Sequence, residues 1–290
     1  MSAILAGALL AVAGAQAPPV FRAEVGIVRV EVSVTRNGSP LRGLTATDFE
    51  VRDNGRVEKA QLVLEEEAVD VALVLDMSRS VGGPTLDALK DAARTFLDGL
   101  REGEQAAVVA FREEVLLLEP FTADRDRVRQ ALDRAEPRGS TALRDAVYAA
   151  LRLHEPGPRR TAMVVFSDGM DSMSWLDPSE VVEAASRSQA LVYGVATRVR
   201  DERKDPFLGD LVRATGGRLF EATSKESYLR HNSATDRRLR ERFLDVLADI
   251  RTRYVLSFTP EGADTEGWHT LDVKLRKVKG DVLARPRYWR

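Results

Sequence analysis

The chain has 290 residues, 44% of them hydrophobic and 30% charged, enough for one domain of ordinary size and a smaller one under a mixed-charge surface. A formal charge of −2 gives no global attraction to nucleic acid or anionic membrane. The absence of cysteine excludes a disulfide framework and any thiolate metal site.

Residues 3–14 are apolar and small, and Ala15-Gln16-Ala17 offers a cleavage pattern ahead of Pro18-Pro19. This predicts a signal peptide over residues 1–17 and an exported protein, periplasmic or extracellular. No other stretch approaches the ~18 uncharged apolar residues of a membrane span, so none is expected in the mature chain. Residues 18–66 read as short strands, with Val28, Val30, Val32 and Val34 alternating onto one face. Asn37-Gly38 and Asn54-Gly55 are hairpin signals, and Ala60 to Leu64 is expected to return as the partner of the strand around Glu50-Val-Arg52.

From residue 67 to 253 strands and helices alternate, which predicts an α/β fold with a doubly wound, mostly parallel sheet. Val71 to Leu75 is an unbroken apolar run, the mark of a strand buried on both faces. A helix is expected from about Thr85 to Leu100, with Leu86, Leu89, Ala93, Phe96, Leu97 and Leu100 as its apolar stripe. Gln105–Phe111 and Val115–Glu119 are close enough for a hairpin, which makes one edge strand antiparallel. Helices over Asp124–Arg134 and Ala142–Leu153 flank the loop Pro137-Arg-Gly-Ser-Thr141, the first capped by Asp124.

Ala162–Phe166 is a second apolar strand, ending at Ser167-Asp168-Gly169. Asp177-Pro178 opens another helix, Leu191–Ala196 is a strand, and a helix from Pro206 stops at Gly216-Gly217. A short strand, Arg218–Glu221, precedes the last helix, from about Arg238 to Arg253. Residues 254–290 are strand-like again, with Leu271, Val273 and Leu275 alternating with charged neighbours. The two strand-rich ends, 18–66 and 254–290, are expected to pack together as a small β-sandwich beside the α/β domain.

Ligands of open α/β sheets bind beyond the carboxyl ends of the strands. There the chain places Asp76, Ser78 and Ser80 after the first apolar strand, Thr141 in the central loop, and Asp168 after the second apolar strand. Two carboxylates and three hydroxyls, with no thiol or imidazole, suit a hard divalent cation. If the hydroxyls bind directly and a carboxylate acts through water, the cation stays electrophilic, and one position is left for a carboxylate of another protein. The set holds no nucleophile, and no enzyme activity is expected.

Asp76-x-Ser78-x-Ser80, Thr141 within Gly139-Ser-Thr-Ala-Leu-Arg-Asp-Ala146, and Asp168 within Phe166-Ser-Asp-Gly169 resemble the metal-ion-dependent adhesion site of von Willebrand factor A domains. Leu44-Thr-Ala-x-Asp-Phe-Glu50, Thr215-Gly-Gly217, Arg253-Tyr-x-Leu256 and Arg285-Pro-x-Tyr-Trp289 resemble the flanking signatures of the VWFA-related Acidobacterial domain family of exported bacterial proteins. The resemblance spans about residues 24 to 289. It implies Asp76, Ser78, Ser80, Thr141 and Asp168 as ligands of Mg²⁺ (or Mn²⁺ or Ca²⁺), and a protein partner that presents a carboxylate. Ser140 stands where the family usually has glycine, which is expected to crowd the threonine loop.

Plainer readings stand beside this one. A strand-end Asp followed by Ser can simply cap a helix, and Asp168-Gly169 alone is an ordinary turn. Asp145 reads as a first-turn helix carboxylate, Asp171 as a loop residue, Arg79 as solvated charge, and His154, His231 and His269 as surface histidines. Lys274, Arg276, Lys277 and Lys279 fit a solvated strand face, without the interleaved aromatics of a nucleic-acid site, and Trp268, Tyr288 and Trp289 fit packing. A haloacid-dehalogenase-like phosphatase needs an aspartate at position 78 as general acid, where serine stands, and no Walker or His-Glu-x-x-His sequence is present. The rival classes are an envelope-assembly module with a vestigial metal site, a Mg²⁺-dependent phosphoryl-transfer enzyme and a cytoplasmic scaffold for an ATPase complex. The oligomeric state is not legible.

Overall fold

The computed structural model describes residues 26–63, 68–153, 159–168, 170–196, 206–222, 233–260 and 266–290. The expected signal peptide lies outside them, as do His154, His231 and Gly169. Among the described residues no helix is long and apolar enough to cross a membrane.

The first strands are β1 (Val28–Arg36), β2 (Ser39–Pro40), β3 (Phe49–Asp53), β4 (Arg56–Glu58) and β5 (Gln61–Leu62). The α/β unit then runs β6 (Val69–Asp76), α1 (Pro84–Asp98), β7 (Ala106–Phe111), β8 (Val115–Thr122), α2 (Arg125–Asp133), α3 (Leu143–Leu153) and β9 (Arg160–Ser167). It continues through α4 (Pro178–Arg187), β10 (Leu191–Ala196), α5 (Phe207–Thr215), β11 (Leu219–Glu221) and α6 (Ser233–Thr252). Strands β12 (Tyr254–Phe258), β13 (Trp268–Leu275), β14 (Asp281–Leu283) and β15 (Arg287–Trp289) close the chain.

The central sheet has the order β11-β10-β9-β6-β7-β8. All its pairings are parallel except β7 with the edge strand β8, the hairpin that the spacing predicts. Every residue of β6, β7 and β10 is buried, because helices cover both faces: α1, α2 and α6 pack on one apolar cluster, and α3, α4 and α5 on the other. Asp124 and Asp177 cap α2 and α4 by accepting bonds from first-turn amides.

Gly216 ends α5 in the left-handed region, at φ 76°. The next glycine is required by close approach, since a Cβ on Gly217 would lie 1.7 Å from the Val192 carbonyl oxygen. Gly217→Ala is therefore expected to cost about 3 kcal/mol, the upper range for overpacking. Urea denaturation reads this as a lower midpoint; an unchanged midpoint would show that the contact relaxes freely.

The chain ends form two antiparallel sheets, β14-β1-β12-β5 (with β2 on β1) and β15-β13-β3-β4. Val30, Val32, Leu256 and Phe258 of the first share a core with Phe49, Val51, Leu271 and Tyr288 of the second. Asn37 and Gly38 (φ 52° and 78°) and Asn54 and Gly55 (φ 47° and 82°) make the hairpin turns. One expectation about pairing fails. The hairpin partner of β3 is β4, directly after the second turn, with β13 on its other side, whereas Gln61 and Leu62 pair with β12 in the other sheet. The turn is tight enough to start the return strand at once, so the next residues are free to cross.

The sandwich is fixed to the α/β unit by buried polar bonds. Glu31 of β1 takes two bonds from Arg160 of β9, at 3.0 and 2.6 Å. Ser33 donates to Asp249 of α6 at 2.8 Å, and the same carboxylate accepts from Tyr193 at 2.7 Å and Arg253 at 2.8 Å.

Candidate metal centre

The parallel pairing of β6 with β9 sets Leu75 opposite Phe166, so the two strands deliver Asp76 and Ser167 side by side at the carboxyl edge. The Ser167 hydroxyl donates to Asp76 Oδ2 at 2.9 Å. Asp76 Oδ1 accepts the Ser78 amide at 2.9 Å, which folds the chain sharply after the strand. The Ser78 and Ser80 hydroxyls then lie 3.0 Å apart, Ser78 buried and Ser80 exposed.

The threonine loop is tied to this turn. The Arg138 amide donates to the Met77 carbonyl at 2.9 Å, and the Arg79 amide to the Gly139 carbonyl at 3.2 Å. The loop after Asp168 is tied to the threonine loop in turn: the amides of Ser172 and Met173 both donate to the Thr141 carbonyl, and the Thr141 amide donates to the Ser172 hydroxyl. Three separated stretches therefore meet at one rim, with Asp76, Thr141 and Asp168 all buried there. The Thr141 hydroxyl has no hydrogen-bond partner among the described residues.

The electrostatics are those of an uncompensated anion. Burial, assisted by the nearby Asp168 charge, pushes the Asp76 carboxyl up to about 6 against the pull of its bonds to serine. The groups that bond Asp76 are all neutral. A divalent cation would supply the missing positive charge, and the donor set of carboxylate and hydroxyl oxygens fits a hard ion. Ser140 does not crowd the loop as expected: the left-handed position belongs to Gly139, at φ 69°, and Ser140 is exposed at ordinary backbone angles.

Several residues gain roles that their sequence positions do not disclose. Asp145 does begin a helix, but its carboxylate accepts the amides of Trp175 and Leu176. Asp171 pairs with Arg144 at 3.1 Å and accepts from Ser174 at 2.6 Å, and these bonds with the burial that opposes them leave its carboxyl below the usual range. The loop they hold exposes Met170, Met173 and Trp175, the last 94% accessible. Three large apolar side chains in a short aperiodic stretch are the only signal the sequence carries. His269 is not a surface histidine: it is buried, with Nδ1 2.9 Å from Asp53 and its ring stacked on Tyr288. Arg79 is exposed.

Residues 71–170 match the family profile described as von Willebrand factor type A domain. A Borreliella burgdorferi protein is 23% identical over 182 residues, which cover 59% of this chain and 52% of that protein. The chain spans between 35% and 52% of the length of this and the next curated relatives it matches. Among solved structures, a von Willebrand factor type A protein from Catenulispora acidiphila superimposes with a TM-score of 0.51 at 14% identity, covering 93% of this chain and 74% of that one. Proximal thread matrix protein 1 from the mussel byssus gives 0.53 at 15% identity, covering 68% and 49%. The sheet order agrees with the matched stretch: residues 71–170 are similar to a von Willebrand factor type A domain, and the central sheet with its helices has the α/β fold of that kind.

Proposed function

We propose that this domain is a divalent-cation-dependent protein-binding module, an adhesion-type site in which Asp76, Ser78, Ser80, Thr141 and Asp168 hold Mg²⁺ (or Mn²⁺ or Ca²⁺). The observation that carries the reading is the rim itself: three loops cross-tied by backbone bonds, with a buried carboxylate that no cation among the described residues bonds. When bound, the cation supplies an electrophilic position for an acidic side chain of a partner protein. The chain's own residues do the rest. Ser167 and the Ser78 amide fix the Asp76 carboxylate, and the Asp145 and Asp171 bonds hold the neighbouring loop so that Trp175, Met173 and Met170 are presented without ordering cost. Nearly full exposure of a tryptophan on a pinned loop favours a binding surface.

The reading places the protein outside the cytoplasm, on the strength of residues 3–17. It also places it in the VWFA-related Acidobacterial group, whose flanking motifs have physical work here: Thr215-Gly-Gly217 closes α5, and Arg253 joins the two units. No catalytic role is proposed: the reading uses the rim carboxylates and hydroxyls as ligands of the cation.

The test is thermal unfolding with excess Mg²⁺ or EDTA. Binding to the folded state alone stabilises by about 2.7 kcal/mol at a hundredfold excess over Kd, a rise on the order of 5 °C for a chain of this size. Asp76→Ala is expected to abolish the rise. A folded wild type indifferent to Mg²⁺, Mn²⁺ and Ca²⁺ would refute the site and favour the vestigial envelope module.

A further inference from the structure

Beside the rim lies a cavity of about 140 Å³. Met77, the residue between Asp76 and Ser78, forms part of its wall together with Leu116 of β8. Its lining includes three arginines, Arg112, Arg134 and Arg138, and one carboxylate, Glu136, while the exposed Glu114 outside the lining pairs with Arg112. Met77 ties cavity and rim together, because its amide donates to the Phe111 carbonyl at 2.7 Å and its carbonyl accepts from Arg138.

The three arginines are incompletely used. Arg112 bonds the exposed Glu114 through Nη2 at 3.1 Å, but its Nε is buried without a hydrogen-bond partner. Arg134 donates to the Leu118 carbonyl at 3.3 Å. Arg138 is exposed and makes no side-chain bond among the described residues. Burying a guanidinium N–H without an acceptor is costly, and an anion at the mouth would satisfy it with a charge-assisted bond.

We propose that this cavity is a second recognition site, one that takes an apolar side chain carried next to a carboxylate. A dry cavity of roughly 150 Å³ holds benzene, so the volume matches one leucine- or phenylalanine-sized group. The apolar wall supplies affinity, and the excess of arginine at the mouth selects an anion beside that group and repels a cation. The biological role rests on the metal reading, since the same acidic partner would span both sites; the cavity's chemistry does not.

Free amphiphilic carboxylates test it directly. Isocaproate and hydrocinnamate are titrated into the full chain in EDTA, with methyl NMR of Met77, Ala110 and Leu116 as readout; isocaproamide and acetate are the controls. The expected result is saturable shifts of these methyls with millimolar Kd for the two carboxylates, and binding about fivefold weaker or worse for both controls, since a charge-assisted bond and an apolar contact are each removed. Arg138→Gln combined with Arg134→Gln is expected to weaken binding by about fivefold. Ala135→Leu fills the cavity and should abolish it, with Leu116→Phe as the substitute should that variant not fold. No shift of these methyls at saturating probe, or equal binding of the amide, overturns the proposal. The Mg²⁺-induced rise in melting temperature is measured on the same samples. A retained rise without probe binding sinks only the cavity, and probe binding without a rise sinks only the metal reading.

Discussion

Asp249→Ala is expected to destabilise the protein by about 3–5 kcal/mol, the range for removing one partner of a buried ion pair. Asp249 is the acceptor at the junction of the two units, bonded by Ser33 from the sandwich, Tyr193 from β10 and Arg253 from the end of α6. The Arg253 side chain is fully buried, and its Nη1 and Nη2 already lack hydrogen-bond partners, so deletion of Asp249 would leave a desolvated cation hydrogen-bonded only to Tyr193, with the charge of Glu31, itself paired to Arg160, as its remaining electrostatic support. Urea denaturation measures the loss; a change below about 1 kcal/mol would show that water replaces the carboxylate at little cost. The same group predicts a pH dependence. Burial opposes ionisation of Asp249, but the Arg253 charge and the Tyr193 and Ser33 bonds overcome it and hold the carboxyl below its ordinary 3.8. A depressed folded-state value stabilises above the unfolded value and is lost as pH falls through the folded one. Wild-type stability should therefore drop as pH falls below about 4, and the drop should be shallower in Asp249→Ala.

Asp76→Asn is expected to act in the opposite direction, raising the stability of the metal-free protein by about 1–3 kcal/mol at neutral pH. Ionised Asp76 lies fully buried near Asp168, with its carboxyl raised from 3.8 to about 6. That displacement corresponds to a cost of about 3 kcal/mol for keeping the charge in the folded state. Asparagine keeps the shape and an acceptor for the Ser78 amide, and it can donate to the Ser167 hydroxyl, so little bonding is lost. In excess Mg²⁺ the order should reverse, because only the wild type gains binding energy. Denaturation of both proteins in EDTA and in Mg²⁺ gives the four stabilities. A variant less stable than wild type in EDTA would mean that the carboxylate is a structural bond rather than a functional charge held at a cost.

Much of the fold is legible because it repeats local rules. The apolar runs of β6 and β9 demand burial on both faces, Asp124 and Asp177 announce helix starts, and each Asn-Gly pair specifies a turn at positive φ. The five proposed site residues are legible as a set because oxygen donors recur at successive strand and loop ends. Where the reading fails, the deciding contact is distant in sequence. His269 reads as a surface residue until β13 sets it beside Asp53, and Asp145 reads as a helix-end charge until the 170–176 loop folds onto it.

The residues alone determine the α/β order, the antiparallel edge hairpin, the turns, and the oxygen chemistry of Asp76, Ser78, Ser80, Thr141 and Asp168. Each follows from backbone sterics, from the period of apolar residues, or from the affinities of a few atoms. Only the tertiary structure decides that Asp76 is buried with no cation bonded to it among the described residues, that Trp175 stands exposed on a pinned loop, that a cavity lined in part by arginine opens next to Met77, and that Asp249 welds the two units. Those properties are sums over neighbours brought together by folding, and desolvation and charge pairing have no value until the neighbours are in place.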